Sequence, residues 1–236
     1  MEALLKNDPK EVRVIYLARQ KNDKALDEIQ KIAAINKISI KSSSKKDLDF
    51  ILPEVNHQGV MAEISASHDQ RYNESNLEEF LEQLEEPPIL LILDSIQDPH
   101  NLGACLRVAN AAGVHAVIVP KDKAVGLTGA VHKVSSGASL VTPFFQITNL
   151  VRTLKMLKKL DFWIYGTDAL AEKTIYETDF KGKIAIVLGG EHDGMRRLTR
   201  EECDFLVSIP MHGTVPSLNI SVAAGICLFE AVRQRA

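Results

Sequence analysis

The sequence predicts an α/β protein, with a parallel-sheet domain over residues 87–236 and a smaller α/β domain over residues 1–67. Three observations predict it. Short, almost wholly apolar runs recur through the second half, as strands buried on both faces of a parallel sheet require. Helical patterns separate most of these runs. Between the halves lies an acidic stretch closing on Pro87 and Pro88, the composition of a connecting segment.

In the first domain the pattern alternates: strand over 12–17, helix over 22–34, strand over 38–41, helix over 45–52, strand over 59–64. Residues 68–86 are expected to form an acidic linker. Glu74, Glu78, Glu79, Glu82, Glu85 and Glu86 stand there against Arg71. Leu77, Phe80, Leu81 and Leu84 recur at helical spacing, so part of the segment is expected to pack on a domain. In the second domain the predicted strands are 89–93, 116–119, 139–142, 162–166, 184–188 and 205–209. The helical patterns cover 102–112, 127–136, 149–160 and 218–233, with a short turn near 195–202.

Composition excludes several classes. Apolar residues make up 45% and charged residues 25%, the balance of a chain able to bury a core. No apolar run is long enough to cross a bilayer, and the start, Met1-Glu-Ala-Leu-Leu, lacks a signal peptide's pattern. A cytoplasmic protein with no membrane association is expected. Cys105, Cys203 and Cys227 are odd in number and lack metal-ligand spacing, so reduced thiols and no metal are expected. The net charge of −3 argues against a nucleic-acid partner, yet outside residues 71–86 the chain holds 27 basic and 25 acidic residues. Charge therefore permits RNA binding without supporting it. Lys41, Lys45 and Lys46 read either as phosphate contacts or as a solvated helix start.

Ligands of parallel α/β sheets gather at the carboxyl ends of the strands. Three such ends carry unusual residues. The first runs Asp94-Ser-Ile-Gln-Asp-Pro-His-Asn-Leu-Gly-Ala-Cys-Leu-Arg107, where Pro99 and Gly103 are expected to tighten the turn and Asn101 suits an N-cap. Arg107, among apolar neighbours, either reaches a partner or leaves for solvent. The second runs Leu188-Gly-Gly-Glu191-His-Asp-Gly-Met195. Its paired glycines allow close approach to a planar ligand or, more simply, a strand-ending turn with positive φ. The third runs from Ile209 through Met211 to Ser217-Leu-Asn219, with Ser217 expected to cap the final helix. His100, His132, His192 and His212 are scattered and form no triad or metal set.

Taken in order, these segments resemble the three motifs of the SpoU branch of the SPOUT RNA methyltransferases. Asn101-Leu-Gly-Ala with Arg107 is similar to motif one, Gly189-Gly-Glu191 with Gly194-Met-Arg to motif two, and Ile209-Pro-Met with Ser217-Leu-Asn219-Ile-Ser-Val-Ala to motif three. The closing run Gly225-Ile-Cys-Leu-Phe-Glu-Ala-Val-Arg and His57-Gln-Gly-Val are similar to the members that methylate guanosine in 23S ribosomal RNA. The resemblance implies a carboxyl-terminal trefoil knot, a homodimer with the active site near the subunit contact, and S-adenosyl-L-methionine as cofactor. It implies a catalytic set of Asn101, Arg107, Glu191, Ser217 and Asn219. It also implies cofactor contacts at Leu188, Gly189, Gly190, Ile209, Met211 and Leu218, and an RNA-binding role for the small domain. Two other readings stand beside it: a transfer-RNA ribose methyltransferase, and a non-catalytic RNA-binding protein. The chain departs from the family at His192, where a glycine is usual. It also departs at its start, where relatives carry a further strand, so the beginning is expected to lie late.

Overall fold

The computed structural model describes residues 2–7, 9–18, 24–53, 57–65, 71–190 and 194–236. It divides into two compact units, Met1–Arg71 and Tyr72–Ala236.

The smaller unit is built on a three-stranded sheet. Its centre, β1 (Val12–Ala18), lies parallel to β2 (Ser39–Ser43) and antiparallel to β3 (Val60–Ile64). A helix that the sequence pattern did not reveal, α1 (Glu2–Asn7), buries Leu4 and Leu5. Helix α2 (Lys24–Ile35) buries Leu26, Ile29 and Ala33. Helix α3 (Lys45–Ile51) starts where it does because Ser44 caps it. The Ser44 hydroxyl accepts from the Asp47 N–H while the Asp47 carboxylate accepts from the Ser44 N–H, each at 3.1 Å. His57 holds the turn into β3. Its Nδ1 accepts from the Gly59 N–H at 3.0 Å, and Nε2 lies 2.9 Å from Asp49.

The larger unit carries a six-stranded, wholly parallel sheet: β4 (Ile89–Asp94), β5 (Ala116–Pro120), β6 (Phe144–Ile147), β7 (Trp163–Thr167), β8 (Ile184–Gly189) and β9 (Phe205–Val207). In space the order is β6-β5-β4-β8-β7-β9, so β8 inserts between β4 and β7. Alternate residues of β4 feed opposite cores. Leu91 and Leu93 join one core, Leu90 and Ile92 the other. The first core is covered by α5 (Pro99–Ala111), α6 (Gly129–Val134) and α9 (Ile220–Arg235). The second is covered by α4 (Leu77–Glu82) and α7 (Leu150–Lys159). A short helix, α8 (Arg197–Glu201), precedes β9. Among the described residues, no helix is long and apolar enough to cross a membrane.

Part of the acidic segment packs on the larger unit. From Tyr72 onward it belongs to the larger unit. Leu77 and Leu81 are buried, and Tyr72 and Phe80 pack on Phe145 with ring centroids 5.4 and 5.3 Å away. Glu74 accepts from the Thr148 N–H at 2.9 Å and the Thr148 hydroxyl at 2.6 Å, and these bonds hold its carboxyl below the usual range. Residues 66–70 lie outside the described residues. The strand expected over 139–142 is also corrected. Ala138–Leu140 is a 3-10 turn, and the strand follows at Phe144–Ile147. Ser139 holds that turn: its hydroxyl takes a 2.7 Å bond from Ser135 and lies 2.9 Å from His132 Nδ1. A four-residue run with two apolar residues at its centre, Leu140 and Val141, does not distinguish these outcomes by periodicity.

Candidate active site

The sheet places two of the three motif segments side by side. Asp94, the last residue of β4, pairs in register with Gly189, the last of β8. Helix α5 leaves β4 through a cap at Asp98, whose side chain accepts from the His100 N–H at 2.9 Å, with Pro99 in the first turn. Asn101 is therefore inside the helix, not its cap. Gly103 is not a turn residue either. A Cβ there would stand 2.7 Å from Val134 Cβ, so this glycine lets α5 and α6 approach closely.

The third segment meets the first through a side-chain hydrogen bond, beside the shared core of α5 and α9. Asn219, not Ser217, caps α9: its Oδ1 accepts from the Ser221 N–H at 2.9 Å. Its Nδ2 then donates to Asn101 Oδ1 at 2.9 Å. Ser217 precedes the cap by two residues and is exposed. The cap itself explains Asn219's backbone bond, and the spare amide N–H₂ is what reaches α5. Arg107 projects from α5 into solvent, and its Nη1 donates to the Ser136 hydroxyl at 3.3 Å. Ser136 itself sits at φ 53°, a left-handed conformation followed by Gly137 at 92°.

The glycine pair at the end of β8 does not make the positive-φ turn that one expectation described. Neither Gly189 nor Gly190 has positive φ; Gly194 does, at 65°. A Cβ on Gly189 would fall 2.1 Å from the carbonyl carbon of Gly194. The close approach is thus the chain's own return. Gly190 and Gly194 exchange N–H···O bonds of 3.1 Å each, closing the loop at its base. Glu191 and His192, between them, lie outside the described residues. Leu188 is buried in the core, so only its main chain is available to a ligand. Ile209 is half-buried, while Met211 and Leu218 are exposed.

Asp94, which opens the first segment, and Arg196, which closes Gly194-Met-Arg in the second, belong to neither the implied catalytic set nor the cofactor set, yet they complete this edge. Asp94 is fully buried, and its carboxylate accepts from the Arg196 N–H at 2.9 Å and from Arg196 Nε at 2.7 Å. The available signal was a carboxylate closing an otherwise apolar strand, since a buried acid must find a partner. Thiol nucleophiles find no support here. Burial pushes Cys203 and Cys227 up to about 12, so both stay protonated at neutral pH. Among the described residues no cluster of His, Cys, Asp or Glu is arranged to hold a metal.

Two family models match the chain: the SpoU rRNA Methylase family over residues 88–229, and RNA 2′-O ribose methyltransferase substrate binding over residues 1–70. The chain belongs to the SpoU rRNA methylase family. Among similar SpoU proteins, the 23S rRNA (guanosine-2′-O-)-methyltransferase RlmB of Pseudomonas putida is 50% identical over 235 residues, covering 100% of this chain and 94% of that protein. The protein of the same name from Neisseria meningitidis is 49% identical, covering 100% and 92%. A solved RNA 2′-O ribose methyltransferase aligns with a TM-score of 0.75 and 27% identity over 95% of this chain and 82% of that one. The SpoU methyltransferase AviRb from Streptomyces viridochromogenes, solved with AdoMet, has the same fold, with a TM-score of 0.76 and 24% identity over 99% and 87%. In this SpoU chain, motif one contributes α5, motif two the glycine loop, and motif three the cap of α9.

Proposed function

We propose that this protein transfers the methyl group of S-adenosyl-L-methionine to the ribose 2′-hydroxyl of a guanosine in 23S ribosomal RNA, in the cytoplasm and as a homodimer. The observation that carries the reading is the Asn219–Asn101 bond, which draws motif three onto motif one at the carboxyl edge of the sheet. Relatives named for this reaction, about half identical over the whole chain, support it.

The residues at that edge suit an adenosyl group. Among the described residues, the main chain over 209–217 makes no hydrogen bond to other backbone, and Met211, Val215 and Leu218 expose apolar side chains beside it. Unpaired donors and acceptors next to apolar walls are what a nucleoside requires. The assigned contacts are main chain at Leu188, Gly189, Gly190 and Ile209, with Met211 and Leu218 as apolar walls. When bound, the cofactor supplies a methyl already activated on a sulfonium.

The chain must then align the 2′-oxygen and ease the loss of its proton. Arg107 is assigned to gripping the phosphate beside the target ribose, because a guanidinium has donors only and stays charged. Asn101 and Asn219 fix the starts of α5 and α9 against each other and present an amide to the ribose edge. Ser217 adds a hydroxyl beside them, and Glu191 orients the donors. The smaller unit supplies RNA affinity through exposed Lys41, Lys45 and Lys46. Val222 and Phe229, half-exposed and seven residues apart on one face of α9, support a second copy of the chain covering that face. The insertion of β8 between β4 and β7 supports the trefoil crossing.

The test is methylation of unmodified ribosomal RNA with labelled cofactor, followed by mapping of the modified nucleotide. One 2′-O-methylguanosine in 23S RNA is expected. Label confined to transfer RNA, or methylation on a base, would overturn the reading.

A further inference from the structure

β4 ends in a carboxylate buried at the working edge of the sheet. Asp94 is 0% exposed, and the other five residues of its strand are apolar. Its Oδ2 accepts from the main-chain N–H of Arg196, and its Oδ1 accepts from the guanidinium Nε of the same residue, with the Ser95 hydroxyl 3.3 Å away on that side. One arginine thus satisfies both oxygens, through backbone and side chain together. The neighbouring arginines differ. Arg197 pairs with Glu201 and Arg200 with Asp168 at the surface, where such pairs contribute little.

The position of this pair matters more than its existence. Arg196 follows Gly194 by two residues, and Gly194 closes the glycine loop by its bonds to Gly190. Gly189, at the other stem, is the in-register neighbour of Asp94. Gly190 passes so near β4 that a Cβ on it would fall 2.8 Å from the Ser95 carbonyl oxygen, and Ser95 itself is left-handed at φ 69°. The end of β4 therefore grips the loop at both stems: by the sheet ladder on entry, and by Asp94 on exit. An ion pair whose carboxylate is fully buried and whose arginine is half-buried is a poor device for stability alone, because desolvating the carboxylate offsets much of the attraction. It is a good device for fixing one geometry, because neither oxygen tolerates a shifted partner.

We propose that Asp94 and Arg196 are a positioning pair that sets the stems of the glycine loop, so that the main chain at Gly189 and Gly190 is preorganised for the cofactor before it binds. This rests on the reading of that loop as a cofactor wall. Neither residue touches the reacting atoms; both act through the loop.

The experiment measures S-adenosylmethionine affinity by calorimetry on the full chain, with amide hydrogen exchange over residues 187–196 in the cofactor-free protein. Arg196→Ala should weaken cofactor binding about 10- to 100-fold, as loss of a supporting partner does around other preorganised sites. It should also speed exchange at the loop, with RNA affinity unchanged. Arg196→Lys, which keeps the charge that Arg196→Ala removes, should recover part of both. Arg197→Ala should resemble the unaltered protein. Leu157→Ala, in the opposite core, controls for destabilisation alone; it should lower the melting temperature without loss of cofactor affinity at temperatures where it is folded. If Arg196→Ala folds and binds cofactor as tightly as the unaltered protein, the pair does not position the loop. If Arg196→Ala fails to fold, Arg196→Lys decides: unchanged affinity and exchange overturn the proposal, and a partial loss of both supports it. Failure of the unaltered chain to bind cofactor at all would overturn the cofactor reading and the pair's role with it.

Discussion

β4 and β5 of the larger unit are buried from end to end, whereas β2 of the smaller unit is exposed along nearly its whole length. Both belong to α/β units with a mostly apolar central strand, yet they differ in cover. The larger sheet has a core on each face. The smaller unit leaves Ile35, Ile40, Phe50 and Ile51 in solvent. Residues that must hold sub-ångström geometry belong on elements locked by two cores, while a surface that meets a large partner needs exposed area more than rigidity. The glycine loop, Asn101, Arg107 and Asn219 all lie on the larger unit.

If chemistry resides there alone, Arg107→Ala should lower turnover about 100- to 1,000-fold, as loss of a transition-state donor does elsewhere, with cofactor affinity nearly unchanged. Joint replacement of Lys41, Lys45 and Lys46 by alanine should instead raise the KM for RNA and leave kcat intact. Steady-state kinetics separates the two, and a kcat effect from the lysines would break the division of labour. The contrast in cover is tested by stability. Leu91→Ala should cost about 2–5 kcal/mol in denaturant unfolding, whereas Ile40→Ala should stay within about 0.5 kcal/mol.

A shortened chain sharpens the boundary. Beginning at Tyr72, it should fold, bind cofactor and bind ribosomal RNA more weakly, with a salt dependence shallower by about one logarithmic unit for each phosphate that the smaller unit no longer neutralises. Beginning at Pro87, it should be less stable, because Tyr72, Leu77, Phe80 and Leu81 no longer cover Phe145. Equal melting temperatures for the two would show that the acidic segment contributes no packing.

The smallest expected effect concerns His115, which lies at the amino-terminal edge of the sheet and accepts from the Ile89 N–H at 3.2 Å. Burial pushes it below its ordinary value of 6.5, with Arg235 adding to the shift. The unfolded chain then takes up a proton before the folded one does. Its contribution is present above about pH 6.5 and is lost as pH falls through the lowered folded value. Replacement by glutamine should flatten the fall in melting temperature below pH 6.5 and leave cofactor affinity at pH 8 unchanged.

Much of this was legible in the residues. Nearly all-apolar runs located five of the six parallel strands, because strands covered on both faces carry no polar alternation to blur them. The three motif segments stand out because unusual residues follow strands at the edge where such sheets bind ligands. The weaker readings share a physical cause. The strand expected over 139–142 and the cap expected at Ser217 are local choices among near-equal alternatives, decided by side-chain partners that periodicity does not reveal. Ser139 is held in its turn by Ser135 and His132, and Asn219 reaches back to Asn101. Sequence by itself determined the class of fold, the split into two units and the order of the motif segments, since each follows from patterns within a few residues. Tertiary structure alone decided that Asp94 meets Arg196, that Gly103 serves a helix contact, and that Gly189 makes room for the chain's own return. Those pairings join residues that folding brings together, and side-chain chemistry alone does not say which of many possible partners arrives.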